Sequence, residues 1–261
     1  MRLMRWVFII FVLLLNGCHR ESVPNTLTIG TLAGPETVLV ETARDIAQKR
    51  FGLTVKIVEF NDYNLPNEAL NDGSLDANIF QHLPYLESAI HAHGYQLVPF
   101  AKTFLYPVGL YSQRFKSLRA LPEHALIALP NDPSNEIRAL RLLQQAHLIK
   151  LKPTSTPGLN DIRSNPHGFK FKTLDAAQLP RILPDVDAAV INTTFALPAG
   201  LSPSHDALVV ENKNSPYVNL IVVGKNNAKK AYLEQFVQAF HDPEVRQKAK
   251  QLFGDAAIPA W

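Results

Sequence analysis

The chain is poor in cysteine and methionine and has almost no net charge. Its 261 residues include one cysteine, Cys18, so no disulfide can form within the chain. Both methionines, Met1 and Met4, lie at the extreme N-terminus. The 26 Lys and Arg residues nearly balance the 23 Asp and Glu residues, and two of the basic ones are Arg2 and Arg5. Such a nearly even balance of charge does not favour a nucleic-acid partner, and none is expected.

The N-terminal segment lacks the length of a membrane span. Residues 6–15 form an unbroken apolar run of ten, whereas a helix needs about 20 residues to cross a bilayer. Arg2 and Arg5 precede this run, as in a secretory signal peptide. The following Leu-Asn-Gly-Cys resembles the lipobox of bacterial lipoproteins. We expect a signal peptide over residues 1–17 and lipidation of Cys18, with a plain secretory signal and an unrelated cysteine as the alternative.

Strand and helix patterns alternate after this segment. Residues 27–30 and 53–60 read as strands, and residues 36–49 read as a helix with apolar positions near a 3.6-residue period. A strand, a helix and a strand in succession predict a parallel α/β sheet. Residues 76–80 form the next strand, which runs into a loop with polar and aromatic side chains. Ligand sites in α/β proteins lie past such strand ends.

One motif occurs twice and indicates a second α/β unit. An Asp-Ala pair at 76–77 precedes Gln81, and another at 187–188 precedes Asn192. If the two copies face each other, the fold class is α/β with two lobes that close on a ligand. Two α/β lobes joined by two crossing segments form the type 2 periplasmic-binding-protein fold.

Two extended segments, residues 103–111 and 215–223, are the expected crossings between the lobes. A single C-terminal helix over residues 228–253 is expected to pack back on the first lobe. The expected units are a tether over 18–26, lobe 1 over 27–106 plus 223–261, and lobe 2 over 107–222.

Long stretches resemble the NlpA/MetQ family of methionine-binding lipoproteins, which feed an ABC importer. The resemblance covers nearly all of the chain after the N-terminal segment, apart from Glu36, where the family usually has histidine, and a shortened segment near 154–159. The matching stretches are VKIVEFNDYNLPNEAL (55–70), LDANIFQHLPYLE (75–87), HGYQLVPFAKTFLYPVGLYS (93–112), IALPNDPSNEIRALRLLQ (127–144), DAAQLPR (175–181), DVDAAVINTTFAL (185–197), NSPYVNLIVV (214–223) and IPAW (258–261).

The resemblance implies a lipid-anchored protein of the cell envelope that captures L-methionine or a close analogue. Its implied partners are an ABC importer permease with its ATPase, and the membrane that holds the lipid on Cys18. No cofactor and no metal are implied, and the chain is expected to act as a monomer.

Charge pairing is the first requirement of a buried amino-acid site, because an unpaired buried charge is too costly for tight binding. Arg138 is the candidate for the carboxylate, since a guanidinium can donate two parallel hydrogen bonds to it. Arg138 also lies near the start of a helix that Asp132 would cap, and that helix end favours an anion. We expect Arg138→Ala to weaken binding while the thermal melt of the ligand-free chain stays nearly unchanged.

The remaining candidate contacts are amides and aromatic rings. Asn192 and Asn219 each follow an apolar extended run and can both donate and accept, which suits an ammonium and a carboxylate. Aromatic rings suit a thioether tail, because sulfur near ring edges gains roughly 0.3–1.5 kcal/mol per contact. The candidate rings are Tyr63, Phe80, His82, Tyr85 and Tyr106, and the polar groups expected behind the contacting residues are Gln81, Asn131 and Asn135.

An enzyme is one competing interpretation, but the sequence offers little for it. There is no HExxH motif, no G-x-S-x-G elbow and no second cysteine to share a metal. His91 and His93 are two apart on a predicted helix and point to different faces. A surface lipoprotein with an adhesin or structural role stays open, as does a binder of D-methionine or a methionine dipeptide.

Overall fold

The computed structural model describes residues 25–227 and 229–261. The expected signal peptide, Cys18 and most of the expected tether lie outside these residues, as does Ala228. Within the two described ranges, no helix is both long enough and apolar enough to cross a membrane.

Eight α-helices and thirteen strands form the described part of the chain. The helices are α1 (Pro35–Phe51), α2 (Leu65–Asn71), α3 (Leu83–His93), α4 (Pro133–Gln145), α5 (Leu179–Ile182), α6 (Thr193–Ala196), α7 (Lys230–Phe240) and α8 (Pro243–Phe253). The strands are β1 (Thr26–Leu32), β2 (Thr54–Phe60), β3 (Ala77–His82), β4 (Leu97–Leu105), β5 (Gly109–Tyr111), β6 (Leu126–Pro130), β7 (Lys150–Leu151), β8 (Ile162–Ser164), β9 (Lys170–Leu174), β10 (Ala188–Ile191), β11 (Ala207–Val210), β12 (Val218–Gly224) and β13 (Ile258–Pro259).

The first lobe is built on a six-stranded sheet with the order β13-β4-β12-β3-β1-β2. β1 pairs in parallel with β2 and with β3, as the alternation of strand and helix predicts. β12 pairs antiparallel with both β3 and β4, and β13 pairs antiparallel with β4. The sheet is therefore mixed, because strands that return from the second lobe and from the C-terminus join the parallel ones.

The second lobe is built on a five-stranded sheet with the order β11-β5-β10-β6-β9. β6 pairs in parallel with β9 and with β10, while β5 runs antiparallel to β10 and β11. Each sheet has its own apolar core beneath its helices. Two α/β layers with separate cores give the two lobes that the sequence predicts.

The chain passes between the sheets twice. It leaves the first sheet after Leu105 and enters the second at Gly109. It leaves the second sheet after Val210 and rejoins the first at Val218. Residues 218–222 were expected in lobe 2, but they pair within the sheet of lobe 1. An apolar extended run reads equally well as a crossing or as a buried strand, so its sequence did not distinguish the two.

The expected C-terminal helix is two helices. α7 ends at Phe240, and α8 begins at Pro243, which cannot continue a helix but is well suited to start one. Asp242 caps α8, since its carboxylate accepts the Glu244 backbone N–H at 2.9 Å. As expected, this part of the chain packs on the first lobe, where Phe236 and Phe240 join the core beneath α1.

The repeated Asp-Ala pair has the same structural role in both lobes. The Asp76 carboxylate, just before β3, accepts the Thr28 backbone N–H of β1 at 2.8 Å. The Asp187 carboxylate, just before β10, accepts the Leu126 backbone N–H of β6 at 2.8 Å. Each carboxylate thus satisfies a backbone donor at the start of a neighbouring parallel strand, where the ladder offers no partner. The motif fixes where each central strand begins and therefore what stands at its far end.

Candidate ligand-binding site

A cavity lies between the lobes, where the carboxyl ends of β3 and β10 face each other. Its volume is only about 20 Å³, measured as the space open to the centre of a water-sized sphere, so the lobes leave a narrow space between them. Its walls are Tyr63, Phe80, Gln81, His82, Tyr85, Tyr106, Asn135, Arg138, Asn192, Thr193, Thr194 and Asn219.

Arg138 is the one cationic side chain among these walls, and α4 positions it. Asp132 caps the helix by accepting the Asn135 backbone N–H at 2.9 Å, and Pro133 begins it. Arg138 is 4% exposed. Its guanidinium carbon lies 4.6 Å from the centre of the Tyr217 ring, a cation–π contact that covers one face of the group. The guanidinium is therefore held in one orientation before any ligand arrives.

The guanidinium of Arg138 is already paired with Glu211. Arg138 Nε donates to Glu211 Oε1 at 2.9 Å, and Nη2 donates to Oε2 at 2.5 Å. Nη2 also donates to the Tyr106 carbonyl at 2.9 Å. The edge expected to hold the ligand carboxylate with two parallel bonds is thus occupied by a protein carboxylate. What remains for the cavity is Nη1 with its two N–H groups.

His82 is neutral and takes part in a link between the lobes. Its Nδ1 accepts the Tyr85 backbone N–H at 3.2 Å, so the proton lies on Nε2, which donates to Asn135 Oδ1 at 3.3 Å. Burial, together with the positive charge of Arg138, lowers the pKa of His82 to about 3. Since both ring nitrogens have protein partners, the ring offers the cavity an apolar wall.

The two predicted asparagines present amide groups from opposite lobes. Asn192 follows β10 and donates from Nδ2 to Asn135 Oδ1 at 2.9 Å. Its own Oδ1 is buried and has no hydrogen-bond partner among the described residues. Asn219 lies on β12 and donates from Nδ2 to the Phe80 carbonyl at 3.1 Å. An unsatisfied buried acceptor in a cavity wall is costly unless a ligand supplies the donor.

Aromatic rings close the opposite side of the cavity. Tyr63, Phe80 and Tyr85 form a mutual cluster with ring centres 5.6–5.8 Å apart. The Tyr85 hydroxyl donates to the Tyr63 carbonyl at 2.9 Å, which ties the two loops together. Across the cleft, Phe195 approaches Tyr63 at 4.9 Å. The fifth predicted ring, Tyr106, lines the cavity but packs mainly into the core of lobe 1.

Glu36 and Thr194 form a second link between the lobes. Glu36 lies in the first turn of α1 and is 5% exposed. The Thr194 hydroxyl, at the start of α6 in the other lobe, donates to its carboxyl group. Burial raises the pKa of Glu36 to about 7, and the Thr194 hydrogen bond opposes this shift in part. Glu36 is therefore protonated in a large fraction of molecules near neutral pH.

The structure brings together the eight predicted contact residues and two of the three predicted supporting residues. Asn135 lies behind Asn192 and His82, as described above. Gln81 accepts a hydrogen bond from the buried amide of Asn67 at 2.8 Å, which ties α2 to β3. Asn131 does not line the cavity and instead borders a neighbouring open groove.

Sequence reasoning missed Thr193, Thr194 and Tyr217 in the cleft, and Glu211 beside it. The two threonines directly follow Asn192 at the strand end, a position that could have indicated them. Tyr217 lies two residues before Asn219 in a stretch already singled out. Glu211 has no comparable signal, because it is 73 residues from its partner Arg138.

The arrangement suits a small molecule with an anionic group, a hydrogen-bond donor and an apolar tail. Nη1 of Arg138 can bind the anion, the free oxygen of Asn192 can accept from the donor, and the rings can enclose the tail. Among the described residues, no group of three or more His, Cys, Asp or Glu side chains is placed to hold a metal ion.

Comparison with known proteins agrees with the fold. D-methionine-binding lipoprotein MetQ of Salmonella typhi is 46% identical over 254 residues, which cover 95% of this chain and 94% of that protein. An ABC transporter periplasmic substrate-binding protein from Coxiella burnetii is 54% identical with a TM-score of 0.87, covering 90% of this chain and 100% of that one. A nutrient binding protein from Burkholderia cenocepacia, solved bound to methionine, is 46% identical with a TM-score of 0.88 at the same coverages.

These structures establish that the chain has the fold of periplasmic substrate-binding proteins. The sequence model of NlpA lipoprotein matches residues 27–261, which is nearly all of the described chain. The chain therefore belongs to the NlpA lipoprotein family.

Proposed function

We propose that this protein captures methionine between its lobes and delivers it to the permease of an ABC importer, which an ATPase drives. The observation that supports this most directly is the composition of the cavity. One guanidinium edge and one unpaired amide oxygen stand opposite a cluster of aromatic rings. A relative named D-methionine-binding lipoprotein MetQ is 46% identical to this chain, and a nutrient binding protein solved bound to methionine shares the fold at 46% identity.

The ligand carboxylate binds to Nη1 of Arg138. Hydrogen bonds to a charged group contribute roughly 1.5–3 kcal/mol each. The pairing with Glu211 holds the guanidinium in place, so little side-chain entropy is lost when the ligand binds. The start of α4 adds a favourable dipole for an anion.

The ligand ammonium donates to Oδ1 of Asn192. That oxygen is the unpaired acceptor of the cavity, and a ligand N–H removes the cost of burying it. Asn219 lies on the facing lobe and adds a second amide. The ammonium thereby connects the lobes, which favours the closed form when ligand is present.

The thioether tail lies among Tyr63, Phe80 and Tyr85. Sulfur near the edges of aromatic rings gains roughly 0.3–1.5 kcal/mol per contact beyond simple burial. Phe80 is 2% exposed and lines the cavity. This cluster is what distinguishes methionine from smaller or more polar amino acids.

Delivery follows hinge closure about the two crossings, residues 106–108 and 211–217. The closed lobes are linked by His82–Asn135 and by Glu36–Thr194. The loaded, closed monomer is the form that the permease receives. A lipid on Cys18 would keep the protein on the envelope membrane beside the importer, as the family name lipoprotein suggests.

L-methionine is the proposed ligand, and D-methionine is the second candidate because the curated relative is named for it. The two enantiomers exchange the positions of hydrogen and side chain at the α-carbon. Separate titrations of the two enantiomers therefore compare how each places its side chain among the rings.

Calorimetry on purified protein, freed of ligand by unfolding and refolding, tests the proposal. L-methionine, D-methionine, glycyl-methionine and leucine are titrated separately, with norleucine as the ligand that keeps the tail length but lacks sulfur. We expect heat with methionine, weaker binding of norleucine and little with leucine. Absence of binding to every methionine compound would refute the proposed function.

A further inference from the structure

Glu211 holds a fixed negative charge directly behind the carboxylate-binding guanidinium. Its side chain is 9% exposed. Besides Arg138, its carboxylate accepts from the Ser215 hydroxyl at 2.9 Å and from the Val108 backbone N–H at 3.3 Å. Its own backbone N–H donates to the Val108 carbonyl at 2.9 Å. The carboxylate therefore cannot turn away when a ligand enters.

This charge changes what Arg138 offers to a ligand. Arg138 is the only cationic residue that lines the cavity, and Glu211 compensates its charge. The two other acidic residues near the cavity, Asp132 and Glu36, do not restore the positive potential that Glu211 compensates. Asp132 is bound at the N-terminus of α4, and Glu36 is buried behind Thr194. A ligand that brings only a carboxylate is attracted by Arg138, and Glu211 behind the guanidinium offsets part of that attraction.

A zwitterion avoids this conflict. Its ammonium lies within a few ångströms of its own carboxylate, so the repulsion between Glu211 and the ligand carboxylate is offset by attraction to the ammonium. Buried charges interact strongly because little solvent screens them. The same cavity therefore treats two ligands of nearly identical shape differently if one of them lacks the ammonium.

We propose that Glu211 is a positioning and specificity-determining residue, which makes the cleft select zwitterionic amino acids over anions with the same tail. It acts through Arg138 by occupying the Nε and Nη2 edge and by compensating the charge. This inference rests on the proposed function, because the ligand is taken to be methionine in this cavity.

The test compares L-methionine with its α-hydroxy analogue, which keeps the carboxylate and the thioether but has no ammonium. Kd values are measured by calorimetry for the wild type and for Glu211→Gln, which keeps the shape and one acceptor oxygen but removes the charge. The wild type is expected to prefer methionine. In the variant, the ratio of the hydroxy-acid Kd to the methionine Kd is expected to fall about tenfold or more.

Two further variants separate charge from packing. Glu211→Asp keeps the charge and is expected to keep the wild-type ratio, even if its shorter reach weakens both ligands. Ser215→Ala removes one hydrogen bond to Glu211 without removing charge, and its ratio should also match the wild type. Circular dichroism at the titration temperature confirms that each variant is folded.

The outcomes are distinct. An equal loss of affinity for both ligands in Glu211→Gln would make Glu211 a purely structural residue and overturn the inference. Equal affinity of the wild type for methionine and the hydroxy acid would overturn it without any variant, should Glu211→Gln fail to fold. A wild type that binds methionine compounds not at all would instead refute the proposed function itself.

Discussion

Replacing Arg138 with alanine removes one side chain that serves both the ligand and the fold. In the wild type the Glu211 side chain is only 9% exposed, and the single variant leaves its carboxylate without a cationic partner. Breaking a buried ion pair from one side costs about 3–5 kcal/mol, because the remaining charge stays buried. The ligand-free melt of Arg138→Ala is therefore expected to fall, contrary to the nearly unchanged melt that the sequence suggests.

The expected drop in Tm depends on how deeply the Arg138–Glu211 pair is buried. Both partners are almost fully buried, so solvent screening gives no reason to reduce the value much. One kcal/mol shifts the Tm of a chain of about 150–250 residues by roughly 2–4 °C. A drop in Tm on the order of 10 °C is the expectation. Loss of the Nη1 contacts should also weaken methionine binding more than tenfold, from roughly 1.5–3 kcal/mol per charged hydrogen bond.

A double variant separates the two roles of Arg138. Replacement of both partners, as in Arg138→Met with Glu211→Gln, leaves no buried charge unpaired and often restores most of the stability. Differential scanning calorimetry should show the double variant melting above Arg138→Ala, while titration should show methionine binding still lost. If Arg138→Ala melts like the wild type, the buried pair does not contribute to stability and the reasoning is refuted.

Three further predictions concern single groups in the cleft. Because the pKa of Glu36 is raised to about 7, the folded protein holds a proton that the unfolded chain releases near pH 4.5, so stability falls as pH rises between these values. Glu36→Gln should therefore raise the Tm at pH 8 but not at pH 4. As a control, Glu41→Gln, which replaces a side chain that is 44% exposed, should change the Tm at neither pH. Since the pKa of His82 is lowered to about 3, nitrogen NMR should show a neutral ring protonated on Nε2 down to pH 5, and an imidazolium signal there would contradict the hydrogen-bond assignment. Asn192→Ala should weaken methionine binding about tenfold by removing the unpaired acceptor, while Asn131→Ala, outside the cavity, should bind like the wild type.

Most of the fold could be predicted from local sequence patterns. The first βαβ unit, the strand before His82 and the helix that carries Arg138 all followed from apolar periodicity and from turn residues near their ends. Pro243 signalled the break between α7 and α8, and reading it as a helix start would have corrected the single C-terminal helix. The position of β12 in the sheet of the first lobe could not be predicted in this way, because pairing between strands that are distant in sequence leaves no mark on local periodicity.

In the candidate site, too, local sequence patterns indicate some residues, while other contacts form only when the chain folds. Side chains at strand ends were found because strand ends are readable and because the family resemblance named them. Hydrogen-bonded pairs that come together only in the folded chain were not predicted from the sequence. Glu36 and Thr194 are 158 residues apart, and Arg138 and Glu211 are 73 apart. Neither pair has a spacing that a helix or strand period could reveal.

The position of the Arg138–Glu211 pair links the proposed ligand contact to the two crossings between the lobes. Arg138 Nη2 bonds to the Tyr106 carbonyl on the first crossing, and Glu211 begins the second crossing. Glu211 is also bonded to Val108 through both its backbone and its side chain. A ligand carboxylate on Nη1 therefore touches a side chain that holds both crossings at once. The proposed ligand contact and the hinge share one guanidinium, so replacing Arg138 alone is expected to change stability, affinity and closure together.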